Sequence, residues 1–244
     1  MAQVALPVVL INVGIQAMGV VDTLMVGRLG GAAIAAVALG NFFYFNVSVF
    51  GIGLLCAIDP VVAQAVGAGD SAAAARGVQR GLLMSLAVSV LVMCALLPGE
   101  WLLTALQQPG DVIGDTAVYA RSRIWGVVPF FVFNVMRQTL QAMGPVRPVI
   151  IAAVVANVVN AVANWVLIFG NAGAPALGVE GSGYATALSS WVMAGVLLAL
   201  AWPLLRATVM PWHRESFAWP PMVRMLRIGV PVGIQWFFES FAFG

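Results

Sequence analysis

The chain has 244 residues, of which 62% are hydrophobic and only 8% charged, and its formal net charge is +2. Soluble domains carry roughly 25% charged residues, so this composition excludes an ordinary soluble domain. The small net charge, with no basic patch, argues against a nucleic-acid partner. Together with a mean hydropathy of +1.00, these values predict an integral membrane protein.

Long apolar runs follow one another along the chain, and each is close to the roughly 20 residues that a spanning helix needs. The runs are continuous and lack the alternation of a lipid-facing strand, which indicates helices. We therefore predict an all-α fold, a polytopic bundle of six transmembrane helices and the beginning of a seventh. In chain order the runs cover residues 5–26, 34–58, 81–97, 124–143, 149–169 and 184–205, and the seventh begins near residue 228.

The distribution of arginine predicts the orientation, because cytoplasmic loops are enriched in basic residues. The connections after the odd-numbered runs hold Arg28, with Arg121 and Arg123 at the mouth of the fourth run. We therefore place the N-terminus in the cytoplasm. The connections after the even-numbered runs hold Arg76, Arg80, Arg147, Arg206, Arg214, Arg224 and Arg227.

A proline-containing segment, MPWHRESFAWPP, interrupts the chain after the sixth run and has the composition of a linker. The segment that follows, RIGVPVGIQWFFESF, is similar to the opening VALPVVLINVGIQ, as in transporters built from repeated halves. We predict an N-terminal six-helix lobe (1–205), a cytoplasmic inter-lobe linker (206–227) and the truncated start of helix seven of a C-terminal lobe (228–244).

Four oxygen-bearing side chains are expected to meet near one end of the bundle. Asp22 lies about 6 Å below the end of the first run, while Asn164 and Asn160 lie roughly 9 and 15 Å below the end of the fifth. Asn157, Asn160 and Asn164 share one helix face, and Thr186 in the sixth run has a similar depth. A carboxylate with amide and hydroxyl oxygens suits a hard monovalent cation or a proton. The alternatives are hydrogen bonding between helices for the amides and the threonine, and contact with interfacial water for Asp22.

Two further polar sets lie within the predicted spans. Glu239, about 16 Å into the seventh run, is flanked by aromatic residues, and an acid among aromatic rings can attract an organic cation. In the fourth run, Asn134, Gln138 and Gln141 recur at i, i+4 and i+7 beside Arg137. We predict that Glu239, Gln138 and Asn134 form a substrate or second cation site, with helix–helix contact as the alternative.

Six segments in register carry a family resemblance over the whole chain. They are VVDTLMVGRLG, AAVALGNFF, VVAQAVGAGD, NVVNAVANWVLIFG, GAPALGVEGSGYATA and GVPVGIQWFFES. In this order they resemble the multidrug and toxic compound extrusion (MATE) family, in particular its NorM branch.

The resemblance implies one lobe of a twelve-helix exporter of the bacterial inner membrane, not an enzyme. Such an exporter exchanges Na⁺ or H⁺ for organic cationic drugs or dyes by alternating access and needs no cofactor besides the coupling ion. Asp22 corresponds to the family's first-helix aspartate, and Asn160 and Asn164 fall on cation-binding positions, so these three residues are the candidate ligands of Na⁺ if the coupling ion is Na⁺ and not H⁺. Thr186 is a looser match, and Glu239 corresponds to the acid of helix seven. Some relatives carry an aspartate where Asn164 stands.

The resemblance also implies a missing C-terminal lobe, so we expect a fragment or a lobe that pairs with a separate second half. One alternative is a flippase of lipid-linked oligosaccharides with a related fold, although the mainly acidic ionisable groups of the spans favour a cationic substrate. The other is a non-transporting membrane fragment, scaffold or intramembrane enzyme; an enzyme would need a second catalytic group near Asp22.

Overall fold

A computed structural model describes the backbone of residues 2–243 and the side chains from residue 13 onward, except those of residues 111, 241 and 243. No residue of this range lies in a β-strand, so the predicted all-α fold class is confirmed. The helices are α1 (Ala2–Val26), α2 (Gly31–Leu55), α3 (Ile58–Gly67), α4 (Ser71–Leu96), α5 (Gly99–Ala105), α6 (Gly110–Ser122), α7 (Val127–Met143), α8 (Arg147–Phe169), α9 (Val179–Val209) and α10 (Trp219–Phe243).

Several helices have the length and the apolar surface of membrane spans. In the described part of the chain, four segments qualify by length and composition, namely Gly31–Gly67, Ser71–Leu96, Arg147–Phe169 and Val179–Val209. On α8, Val154, Val158 and Val162 are 57%, 60% and 56% exposed along one face, whereas Asn160 and Asn164 on the opposite face are fully buried. This distribution suits a helix with one face toward lipid and its polar face toward other helices.

The second predicted run corresponds to α2, which ends at Leu55, and a short helix α3 follows it after residues 56–57. Pro60 accounts for the break, since it has no N–H to donate to the carbonyl of Cys56 and its ring would clash with that carbonyl in a continuous helix. The short helix α3 is therefore a separate element. It ends in a turn after which Asp70 caps α4 by accepting a hydrogen bond from the Ala73 amide at 2.8 Å.

The fourth predicted run differs from one helix. Its first residues form a 3₁₀ turn, Arg123–Gly126, which joins α6 to α7. Pro129 cannot donate to the carbonyl of Trp125, for the same reason as at Pro60. That carbonyl instead accepts a hydrogen bond from the Trp191 indole of α9 at 2.8 Å, so the irregular backbone is compensated within the bundle.

The linker predicted over residues 206–227 is shorter in the structure. Helix α9 continues to Val209 and α10 already begins at Trp219. The prolines suggested a longer break, but Pro220 and Pro221 occupy the first turn of α10, where a missing N–H breaks no hydrogen bond within the helix. The division of the whole protein into two lobes stays a prediction.

Gln79 of α4 holds this linker against the bundle through hydrogen bonds. Its side chain is fully buried, and its Oε1 accepts hydrogen bonds from the His213 amide at 2.9 Å and the Ser216 hydroxyl at 2.7 Å. Its Nε2 donates to the carbonyl of Pro211 at 2.9 Å. One side chain thus supplies both a donor and an acceptor to the linker.

Helix α10 packs closely against α2 through glycines. A Cβ atom at Gly53 would lie 2.5 Å from the Cα of Gly233, and one at Gly229 would lie 2.1 Å from the carbonyl oxygen of Leu54. Such distances leave no room for a side chain, so the two backbones are in direct contact. Farther along, the Ser240 hydroxyl donates to Asn46 Oδ1 at 2.7 Å.

Candidate functional site

The buried carboxylate of Asp22 is the centre of a polar cluster between α1, α8 and α9. The side chain is only 1% exposed. The amides of Asn164 and Asn160 donate to its Oδ1 at 2.7 and 3.0 Å, and the Thr186 hydroxyl donates to its Oδ2 at 2.6 Å. The structure therefore brings together all four residues that were expected to meet. We call Asp22, Asn160, Asn164 and Thr186 the Asp22 site.

Glycines allow the helices of the Asp22 site to approach one another. A Cβ atom at Gly181, near the start of α9, would lie 2.5 Å from the Leu167 carbonyl oxygen of α8. Gly170 ends α8 in the left-handed conformation with φ of 72°, which glycine adopts without a steric penalty. The chain thus reverses direction in the short connection between α8 and α9, which places Thr186 opposite Asn160 and Asn164.

The Asp22 site contains oxygen atoms with no hydrogen-bond partner. The Oδ1 atoms of Asn160 and Asn164 are buried and unpartnered. Buried polar atoms are normally hydrogen-bonded, so these oxygens can accept a further partner. Carboxylate, amide and hydroxyl oxygens together are the ligands that hard cations prefer.

Asn157 shares the polar face of α8 but does not join the Asp22 site. Its amide donates to the carbonyl oxygens of Gly14 and Ala153 at 2.7 and 2.8 Å. It therefore links α8 to α1, as expected of an asparagine that holds helices together. The role of the Asp22 site in cation binding stays a prediction.

The structure does not bring the second predicted site together as one cluster. Glu239 is exposed on α10 and accepts a hydrogen bond from Gln235 at 2.9 Å. Asn134 and Gln138 are buried on α7 at 4% and 1% exposure. Asn134 accepts a hydrogen bond from Arg137 at 3.2 Å. Their role in binding substrate stays a prediction.

Arg123 is a half-buried positive charge that the sequence placed only at the mouth of a helix. Its guanidinium carbon lies 3.8 Å from the centroid of the Tyr44 ring, and its Nη1 donates to Asn41 and, at 3.3 Å, to the hydroxyl of Tyr119. Its charge also interacts with that of Asp22. The Arg123 guanidinium, which contacts an aromatic ring and an amide, is therefore a positive charge that acts on the Asp22 site.

Comparison with known proteins agrees with this architecture. The chain is 35% identical over 241 residues to the multidrug resistance protein MdtK of Yersinia pestis (strain Pestoides F), an alignment that covers 96% of this chain and 52% of the relative. The chain thus spans about half the length of the curated relatives it matches.

Solved structures share the fold. The eukaryotic MATE transporter AtDTX14 superposes with a TM-score of 0.88 at 19% identity, and a MATE crystal structure in the bent conformation superposes with 0.86 at 22%. Each match covers 99% of this chain and 54% of the other. Because the MatE family model also matches residues 7–166, the chain belongs to the MATE family.

Proposed function

We propose that the chain is the N-terminal lobe of a cation-coupled multidrug exporter of the bacterial inner membrane. It works with a second lobe that continues from α10, and its N-terminus is cytoplasmic. The exporter exchanges Na⁺ or H⁺ for organic cations by alternating access. The observation that carries the proposal is the buried Asp22 carboxylate, which accepts hydrogen bonds from three side chains on two other helices.

In this mechanism the Asp22 site has two hydrogen-bonding arrangements. Without an ion, the amides of Asn160 and Asn164 donate to the charged carboxylate and replace part of its hydration. An arriving Na⁺ needs oxygen ligands, and half a turn of either amide group presents its unpartnered Oδ1 in place of its NH₂. A proton acts differently, because it neutralises Asp22 and weakens its charge-assisted hydrogen bonds.

Either event changes what holds α1 against α8 and α9. The hydrogen bonds of Asp22 join α1 to α8 and α9, so ion binding and the position of α1 are coupled. A shift of α1 then changes access to the substrate path between the lobes. The name of the Yersinia relative, a multidrug resistance protein, supports drugs as the exported substrates.

Dye efflux tests the proposal. Cells that produce the complete transporter are loaded with a cationic dye, and efflux is followed with and without Na⁺ and at two pH values. We expect Asp22→Asn to lower ion-driven efflux at least tenfold, since it removes the only charge among the four residues. Asp70→Asn is the matched control, because Asp70 is an exposed helix cap. Unchanged efflux and ion dependence in Asp22→Asn would refute the proposal, as would export of an anionic lipid instead of dyes.

A further inference from the structure

A cluster of arginines lies where the start of α4, the linker and the start of α10 meet. Its members, here called the arginine cluster, are Arg76 and Arg80 of α4 and Arg224 and Arg227 of α10. The charge of Arg80 interacts with the charges of Arg76 and Arg224, and Arg224 and Arg227 line the same surface hollow. Because like charges at close range repel one another, a negative partner would stabilise the cluster.

The linker compensates only part of this charge. Glu215 forms an ion pair with Arg76 at 3.4 Å, and its backbone carbonyl accepts a hydrogen bond from Arg80 Nη2 at 2.9 Å. One carboxylate cannot neutralise all the guanidinium groups of the cluster. The Nε atom of Arg80 is buried and has no hydrogen-bond partner, although buried donors are normally satisfied. The arginine cluster therefore has both excess positive charge and an unused donor.

A surface hollow at the α10 side of the cluster has room for a ligand. It has a volume of about 420 Å³ and is lined by Trp219, Pro220, Val223, Arg224 and Arg227. Volumes of this order accommodate small molecules or headgroups. Both arginines are exposed, and a guanidinium group can donate two parallel hydrogen bonds to a phosphate. The hollow therefore suits a phosphodiester group.

The surroundings of the arginine cluster are those of a boundary between membrane and water. Trp212, Phe217 and Trp219 are 42%, 62% and 68% exposed, and exposed tryptophans concentrate at the headgroup level of a bilayer. On α4, Leu91 follows Arg80 at i+11, which places both on one helix face, and it is 68% exposed. An exposed apolar face thus continues from the arginines into the span of α4. This arrangement favours a lipid over a soluble phosphate.

We propose that the arginine cluster binds an anionic phospholipid, with the phosphodiester at Arg80 and Arg224 and an acyl chain along the exposed face of α4. Basic pockets between membrane helices bind such headgroups. A zwitterionic lipid also has a phosphate, but its ammonium group offsets that charge and is repelled by the arginines. The site therefore selects lipids with a net negative charge. The bound lipid joins α4 to α10 across the linker, and its binding does not depend on the proposed export function.

Native mass spectrometry of the detergent-purified protein tests the inference, because it resolves the protein with and without bound lipid. The protein is titrated with phosphatidylglycerol, which is anionic, and with phosphatidylcholine of the same acyl chains. We expect phosphatidylglycerol to bind about tenfold more tightly or better. Arg80→Gln and Arg224→Gln should each weaken its binding about fivefold or more and leave that of phosphatidylcholine unchanged. Arg147→Gln, which removes an exposed arginine at the start of α8, is the matched control and should bind both lipids as the unmodified protein does.

Equal affinity of the unmodified protein for the two lipids would overturn the inference, as would equal binding of phosphatidylglycerol by Arg224→Gln and Arg147→Gln. Displacement of the lipid by an equal concentration of glycerol 3-phosphate would identify a soluble phosphate as the ligand and overturn it as well. Because Arg80 also donates to the linker, Arg80→Lys is a second variant. It keeps the charge but loses the planar fork, so its affinity for phosphatidylglycerol should be intermediate. Asp22→Asn should bind phosphatidylglycerol unchanged, which separates failure of ion coupling from failure of this inference.

Discussion

Replacement of Gln79 by leucine tests how the linker after α9 is held. Gln79 makes three hydrogen bonds of 2.7 to 2.9 Å to the linker, at Pro211, His213 and Ser216. Leucine has a similar volume but neither donates nor accepts. At about 1 kcal/mol net for each bond, we expect the linker to lose about 3 kcal/mol of stability against local opening. That loss corresponds to a roughly 100-fold larger open fraction.

Limited proteolysis measures this opening, because trypsin can cleave after the exposed Arg214 once the linker detaches. When opening and closing are fast relative to cleavage, the cleavage rate follows the open fraction. We expect Gln79→Leu to be cleaved at this site up to 100-fold faster than the unmodified protein. Gln64→Leu, at an exposed position of α3, is the control and should behave like the unmodified protein. Equal cleavage rates for Gln79→Leu and the control would refute the assigned role of Gln79.

Three further variants test the helix contacts and the Asp22 site. Gly229→Ala should lower the melting temperature in detergent and loosen α10 from α2, since the new Cβ would lie 2.1 Å from the Leu54 carbonyl oxygen. Gly195→Ala, where a Cβ meets nothing within 4 Å, should not lower it. Trp191→Phe should cost about 1 kcal/mol of unfolding free energy, because the carbonyl freed by the proline of α7 loses its donor. Arg123→Met should lower the Na⁺ concentration needed for half-maximal thermal stabilisation about tenfold, because a repelling charge is removed; a higher concentration would contradict the proposed electrostatic role.

The convergence at Asp22 could be predicted because helix geometry fixes both depth and face. The spacing of Asn160 and Asn164 places them on one side of α8, and connectivity brings the first, fifth and sixth spans to the same end. Asn157 shows the limit of this reasoning, since it shares the face but lies too deep along the helix and bonds to Gly14 instead. Periodicity alone does not reveal which neighbour a side chain meets.

The sequence contains a proline just after each of the two helix breaks, but the surrounding residues are mostly apolar, so hydrophobicity alone did not predict the breaks. Pro60 and Pro129 each withdraw one backbone donor just after a break. Pro203 and Pro231 lie inside continuous helices, so a proline alone does not predict where a helix breaks. The contacts of Gln79 were beyond sequence reasoning, since its partners are two backbone groups and the Ser216 hydroxyl, all more than 130 residues away.

The central claim is that the carboxylate of Asp22 takes up the coupling ion, and infrared difference spectroscopy of the purified protein measures this directly. Spectra are recorded as the buffer is exchanged between Na⁺ and a large organic cation, and between high and low pH. The account predicts a change in a carboxyl band in at least one of the two exchanges, absent in Asp22→Asn and retained in Asp70→Asn. A spectrum that is unaffected by both exchanges, or a change that persists in Asp22→Asn, would contradict it.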